Sequence, residues 1–300
     1  MDREEIDAAL AARLVAAQFP RWADLPVRPV EVGGWDNRTF RLGSTMSVRL
    51  PTAEGYVAAV AKEHDWLPRL APHLPVAVPE PLALGAPGQG YPWPWSVRRW
   101  IEGRPAAPGR IGDPVVFARD LAAFLRALRR VEATGGPLAG AHSFHRGGDL
   151  RVYDAQTRTA LQALRDRVDT DLALAVWESA LAAPWTGPPV WFHGDVAAGN
   201  LLVDGADRLT AVIDFGTSGV GDPACDLVVC WTLLGGAARA EFREAVPADD
   251  AMWARGRGWA LWKALITMAP GGPGSVAPDA DAHAGVVRDV LAEHRAAHGG

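Results

Sequence analysis

His193-Gly194-Asp195-Val196-Ala197-Ala198-Gly199-Asn200 is a polar loop set between apolar runs, Val190-Trp191-Phe192 before it and Leu201 to Val203 after it. Nineteen residues beyond Asp195 stands Ile213-Asp214-Phe215-Gly216, reached through a turn at Asp204-Gly205 and a strand-like run from Leu209 to Phe215. Short strands flanking a polar loop hold its side chains more rigidly than a free loop would, so chemistry is expected here. Taken singly, Asp195 and Asn200 are ordinary turn formers and Asp214 an ordinary strand-end cap. Together, in this order and between strands, they read as a site.

Working outward, the residues before this stretch are helical and those further upstream are β-rich. Asp2 as an N-cap with Glu5 three residues on, then Ile6, Leu10 and Leu14, predicts a short amphipathic helix. Val30 and Val32 lead into Gly33-Gly34, Thr39 to Leu42 reads as a strand, Gly43-Ser44 as a turn and Met46 to Leu50 as another strand. From Ala53 to Leu70 the apolar positions Tyr56, Val60, Leu67 and Leu70 share one helical face, and the position completing their spacing is Glu63. A carboxylate in an apolar stripe is costly without a partner, so this helix should deliver Glu63 to a cation. Lys62, one position round the helix, points elsewhere. Residues 75 to 101 alternate Pro-rich turns with strand-like pieces and end in Trp95-Ser96-Val97-Arg98-Arg99-Trp100-Ile101. The Gly/Pro-rich run 102–112 is a linker between an N-terminal domain, 1–101, and a C-terminal one, 113–300. Asp113-Pro114 starts a helix with Phe117, Leu121, Phe124, Leu125 and Leu128 along one side, and a further helical stretch is expected from Asp154 through Ala183.

Composition excludes several classes. Hydrophobic residues are 49% and charged residues 22% of the 300, the usage of an ordinary globular chain, and no apolar run approaches the ~18 residues that span a bilayer. The start, MDREEIDAAL, lacks the pattern of a signal peptide, which predicts a cytoplasmic protein. Cys225 and Cys230 are too few for a disulfide framework and read as buried. The net charge of −5 falls wholly after residue 100, which argues against a nucleic-acid surface and is compatible with a cationic small substrate. Of 30 basic residues only Lys62 and Lys263 are lysine, which limits where a catalytic lysine could stand.

The Asp195, Asn200 and Asp214-Phe215-Gly216 spacing resembles the catalytic loop and metal motif of the protein-kinase-like fold. With His-Gly-Asp at its head, the stretch is similar to that of the aminoglycoside phosphotransferase family. The resemblance covers residues 28 to 265 and implies an α+β, bilobal fold, with a small β-rich N-lobe and a larger, mostly helical C-lobe. It also implies a small-molecule kinase using ATP or GTP with Mg²⁺. In that reading Asp195 accepts the proton of the acceptor hydroxyl, and Asn200 and Asp214 supply hard oxygen ligands to Mg²⁺. His193 orders the loop, Asp226 braces it from below and Asp222 caps the following helix. Gly33, Gly34 and Asn37 belong to the loop that covers the phosphates, and the backbone at Arg99, Trp100 and Ile101 forms the hinge that meets the purine. The lysine expected on the third strand is replaced by Arg49, which the resemblance pairs with Glu63; an arginine fork can hold a carboxylate and phosphate oxygens.

The acceptor implied is an aminoglycoside or related cationic antibiotic, with no nucleic-acid, membrane or protein partner. Asp166, Asp169, Asp171, Glu178, Glu241, Glu244, Asp249 and Asp250 are candidates to meet its ammonium groups, and Trp259 and Trp262 to wall its cleft. Other readings compatible with the motifs are a metabolic kinase for an amino alcohol or sugar and, as a non-enzyme, a nucleotide-binding pseudokinase.

Overall fold

A computed structural model describes residues 1–30, 33–272 and 279–298. They fall into two compact units, one of residues 1–104 with 210–216 and the other of residues 105–209 with 217–300. Val32, expected in a strand, lies outside the described residues.

In the first unit, Glu5 accepts from the Asp2 N–H, but this closes only a single tight turn over Arg3–Glu5. The helix proper, α1 (Ala8–Gln18), starts one cap later, where Asp7 accepts from the Leu10 N–H. β1 (Val27–Pro29), β2 (Asn37–Leu42), β3 (Met46–Pro51), β4 (Pro81–Gly85) and β5 (Trp95–Arg99) form one antiparallel sheet in the order β1-β2-β3-β5-β4. Strand alternation sorts its two faces. Phe40, Leu42, Val48, Leu50, Trp95 and Val97 join Ile6, Leu10 and Leu14 in one core. Arg49, Ser96 and Arg98 take the opposite parity, with Arg49 directly across from Ser96. α2 (Val57–Leu70) packs on β4 and β5 and buries Val60, Glu63, Leu67 and Leu70. The predicted stripe is real from Val60 on, Glu63 included, whereas Tyr56 precedes the helix and is only half-buried.

A two-residue strand, β6 (Arg104–Pro105), marks the passage into the second unit. There α3 (Pro114–Arg130) has Asp113 as its N-cap and Pro114 in its first turn, as the sequence predicts. The stretch from Asp154 to Ala183 is two helices, α4 (Asp154–Ala163) and α5 (Thr170–Leu181), because Asp169 caps a new N-terminus through the Leu172 N–H. β7 (Val190–Phe192) and β8 (Leu201–Val203) flank the polar loop, β9 (Leu209–Val212) follows in sequence and belongs, from Thr210 on, to the first unit, and β10 (Gly219–Gly221) pairs antiparallel with β7. α6 (Val229–Thr232), α7 (Gly236–Ala245), α8 (Asp250–Met268) and α9 (Asp279–His298) complete the chain. α8 is the central helix, in contact with α4, α5 and α9, and almost every residue from Met252 to Met268 is buried. None of the described helices is long and apolar enough to cross a membrane.

Candidate active site

The second unit supplies the loop. Gly194 has φ +83°, and a Cβ there would come 2.9 Å from the Thr217 carbonyl oxygen, so the residue between His193 and Asp195 is held to glycine by both backbone and space. Asp226, fully buried, accepts from the N–H groups of His193 at 3.0 Å and Gly194 at 2.7 Å. It thereby clamps the turn that presents Asp195. Burial pushes the Asp226 carboxyl above its ordinary value, outweighing the opposing pull of His193, the two N–H groups and Arg129. His193 is buried; its Nδ1 accepts from the Asp195 N–H at 3.2 Å, which leaves the ring proton on Nε2.

Asn200 donates through Nδ2 to the Asp195 carbonyl at 3.0 Å and to Asp195 Oδ2 at 2.9 Å. Both bonds use the amide nitrogen, and neither engages Oδ1. Asp222 accepts from the Ala224 N–H, which makes it the expected cap, and also binds Arg255.

The first unit brings together Arg49, Glu63 and Asp214. Asp214 is a non-glycine residue at φ +63°, a backbone state that concentrates at functional positions. Arg49 Nη2 donates to Asp214 Oδ1 at 3.0 Å, and its Nη1 reaches Glu63 Oε1 only at 3.5 Å. The expected Arg49–Glu63 ion pair is thus present, but it is not the shortest that Glu63 makes. The close partner is Arg98, which donates to both carboxylate oxygens at 2.8 Å. Burial would raise the Glu63 carboxyl, but Arg98 first and Arg49 second hold it below its ordinary value. Burial would lower the Arg49 guanidinium, and Asp214 and Glu63 more than reverse that.

Lys62 is not a bystander either. Its Nζ donates to the Gly216 carbonyl at 2.7 Å, tying α2 to the Asp-Phe-Gly turn. Burial pulls this ammonium from 10.5 to about 8, against the attraction of Glu63 and Asp214. Below pH 8 the ammonium is charged in folded and unfolded chain alike and its burial cost is fully present. Between pH 8 and 10.5 only the unfolded chain keeps the proton, so stability from this group rises with pH, by about 3 kcal/mol in all. Urea midpoints from pH 7.5 to 10 should therefore climb more steeply for the wild type than for Lys62→Met.

The nucleotide-facing candidates occupy separate parts of the same unit. The Gly33-Gly34 turn is held by Arg3, which donates to the Gly34 and Trp35 carbonyls at 2.7 and 2.6 Å, and no atom lies within 4 Å of a Cβ built on either glycine. Asn37 opens β2 opposite Pro51. At the predicted hinge the Arg99 N–H donates to the Glu80 carbonyl at 2.8 Å. The Trp100 N–H donates to the Thr45 carbonyl, and its ring lies under the Arg41 guanidinium at 4.1 Å; Ile101 follows, half-buried.

The acceptor candidates do not gather. Glu241, on α7, pairs with Arg119 at 2.8 Å. Asp249 caps α8 through the Met252 N–H, and Asp250 stands in that helix's first turn. Asp169 pairs with Arg295, and Glu178 with Arg158. Trp259 is 2% exposed and packs edge-on against Tyr153 and Trp262, so it is core; Trp262 stacks on Tyr153 at 4.0 Å. Sequence reasoning missed Arg98, Lys62, Arg3 and Arg255. Arg98 had a legible signal, its shared parity with Ser96 and Arg49 on neighbouring strands.

An antiparallel sheet bearing an arginine–carboxylate network, followed by a mostly helical part whose loop fixes an Asp and an Asn, is the protein-kinase-like phosphotransferase fold. The chain matches the phosphotransferase enzyme family over residues 26–259 and belongs to it. It is thus a kinase that transfers phosphate to a hydroxyl acceptor. Among solved structures it is similar to the GDP complex of a mutant aminoglycoside 2′-phosphotransferase-IIIa, at 17% identity and TM-score 0.75 over 97% of this chain and 99% of that one. The ADP-bound aminoglycoside phosphotransferase APH(2″)-Ib matches at 18% identity and TM-score 0.60, over 95% and 97%. The apoenzyme of macrolide 2′-phosphotransferase MphH from Brachybacterium faecium matches at 25% identity and TM-score 0.58, over 95% and 98%.

Proposed function

We propose that the protein is a nucleoside-triphosphate-dependent kinase acting on a hydroxyl of a cationic antibiotic of the aminoglycoside or macrolide kind. The observation that carries the reading is the Asp195–Asn200 pair. Asn200 Nδ2 immobilises both the backbone carbonyl and the side chain of Asp195, so the second carboxylate oxygen is presented on a fixed frame. In the reaction Asp195 orients the acceptor hydroxyl and takes its proton as the oxygen attacks the γ-phosphorus, whose bond to the β,γ-bridging oxygen breaks and releases the nucleoside diphosphate. Arg49 receives the phosphate oxygens, the Gly33-Gly34 amides cover them, and the Arg99 carbonyl with the Ile101 N–H meets the purine edge. His193 keeps the loop in register through the Asp195 N–H.

The donor set fits Mg²⁺. Asn200 Oδ1 and the Asp214 carboxylate are hard oxygens of the kind Mg²⁺ takes, and phosphate oxygens and water would complete the shell. When bound, the ion neutralises charge on the phosphate oxygens.

A macrolide, with one basic amine on a large apolar ring, is favoured over a polycationic aminoglycoside by the ion pairs of the acidic candidates. A polyamine needs several unspent carboxylates to replace its water, and Asp169, Glu178 and Glu241 are already engaged with arginines. The decisive experiment incubates the protein with ATP or GTP and Mg²⁺ over macrolides, aminoglycosides, amino alcohols and sugars, and reads the acceptor by mass spectrometry. Addition of one phosphoryl group to an antibiotic is expected, with macrolides turned over best. Phosphorylation confined to the amino alcohols or sugars, or nucleotide hydrolysis without a phosphorylated acceptor in any arm, sinks the reading.

A further inference from the structure

Arg3 reaches into the Gly33-Gly34 turn from the start of the chain. Its Nη1 donates to the Trp35 carbonyl at 2.6 Å and its Nη2 to the Gly34 carbonyl at 2.7 Å, and the guanidinium lies 5.9 Å from the centre of the Trp35 ring. The turn that carries Arg3 is closed by the Asp2 N–H on Glu5 Oε2 at 2.8 Å, and Ile6 anchors it in one core with Leu10 and Phe40. The Ile6 carbonyl in turn accepts from Arg38 Nε, on β2, at 3.1 Å. At its far end the loop is tied to Thr52, whose N–H and hydroxyl donate to the Asp36 carbonyl at 2.9 and 3.0 Å.

A two-glycine turn needs such a hold. Glycine loses more backbone freedom on ordering than any other residue, so a pair of them is costly to fix at the moment a ligand binds. Orientation matters as much as order. A trans peptide points its N–H opposite to its carbonyl, so taking the Gly34 and Trp35 carbonyls turns the Trp35 and Asp36 N–H groups away from Arg3. Carbonyl oxygens repel phosphate, whereas backbone N–H groups attract it. Arg3 itself lies outside the span matched to the phosphotransferase family, residues 26–259. Resting on the reading of Gly33 and Gly34 as the phosphate-covering loop, we propose that Arg3 is a positioning residue for the nucleotide, a strap that orders this loop in advance with its carbonyls drawn back and its N–H groups presented. The ordering is then completed in folding, and less of it is left to oppose binding.

Both carbonyls are exposed, so water replaces the guanidinium in Arg3→Met and the urea midpoint should stay where it is. ADP and GDP binding, in contrast, should weaken about fivefold. The nucleotide KM should rise by the same factor while kcat stays within about twofold of the wild type. Arg3→Lys keeps the charge without the planar fork and should weaken binding only about twofold. Adenosine and guanosine, which have no phosphate for the loop to cover, should bind the wild type and Arg3→Met alike. Titration calorimetry with the two diphosphates and the two nucleosides reads these affinities without an acceptor, so the outcome of the acceptor panel does not bear on Arg3. Unchanged ADP and GDP affinity in Arg3→Met overturns the proposal, and so does an equal loss for the nucleosides, which would mark a general loosening of the unit. A wild type that binds the diphosphates no better than the nucleosides would instead overturn the phosphate-loop reading on which the proposal rests.

Discussion

Replacing Asp195 by alanine is expected to lower kcat by about 10²- to 10⁴-fold, the range supplied by a positioned general base, while the nucleotide KM holds within about threefold. The two parameters separate because, in the proposed reaction, the carboxylate works on the acceptor hydroxyl. A second consequence follows from its bond to Asn200. Alanine removes the Oδ2 atom that fixes the Asn200 amide, so half of the restraint on Oδ1 disappears and the dependence of rate on Mg²⁺ concentration should shift to higher concentrations. Asp195→Asn keeps an acceptor oxygen for that amide but cannot take a proton. It should lose kcat as severely and keep the wild-type Mg²⁺ dependence. Steady-state kinetics at several Mg²⁺ concentrations read both effects, and a kcat within tenfold of the wild type in either variant would falsify the role given to Asp195.

The Asp195–Asn200 pair was legible in the sequence because its contacts are local. Asp195 and Asn200 are five residues apart, and the bonds that join them run to one turn's own backbone and side chain. Glu63 was legible for a different reason, the cost of a carboxylate in an apolar stripe, but that argument names only the charge of the partner. Arg98 stands 35 positions away and Arg49 only 14, so choosing between them required strand register, which pairs β3 with β5 and lays Arg49, Ser96 and Arg98 along one face. The break between α4 and α5 was written in Asp169-Thr170 as a cap, and it was hidden by apolar residues on both sides. α8 resisted reading because a helix buried all round has no stripe, and Trp259 in such a helix is indistinguishable from a ligand wall until its neighbours are known. The acidic residues after position 100 are hard to read for a related reason. Arginine is so abundant here that a carboxylate is as apt to be half of an ion pair as an open site, and charge counts are blind to pairing.

The other large effect expected is on stability and comes from Arg255, which sequence reasoning passed over. It projects from α8 with Nε 2.7 Å from Asp222 Oδ2 and Nη2 3.2 Å from Oδ1, while Nη1 donates to the Ala183 carbonyl at 3.0 Å. Arginine and aspartate are 5% and 4% exposed. Water cannot take over for either partner, so Arg255→Met should cost about 3–5 kcal/mol by stranding the Asp222 carboxylate. That is a large part of the ~5–15 kcal/mol that holds a typical domain folded, and the urea midpoint should fall accordingly. Replacing both residues by apolar ones, Arg255→Met with Asp222→Leu, removes the stranded charge and should regain most of the loss. It should not regain all of it, because Asp222 also caps the turn at Ala224, a contribution of about 1 kcal/mol. Folded Arg255→Met should keep its kcat, since neither side chain is given a part in phosphate transfer. An unchanged midpoint would mean that the pair is not buried in solution, whereas a kcat loss in protein still fully folded would move Asp222 from the scaffold to the site.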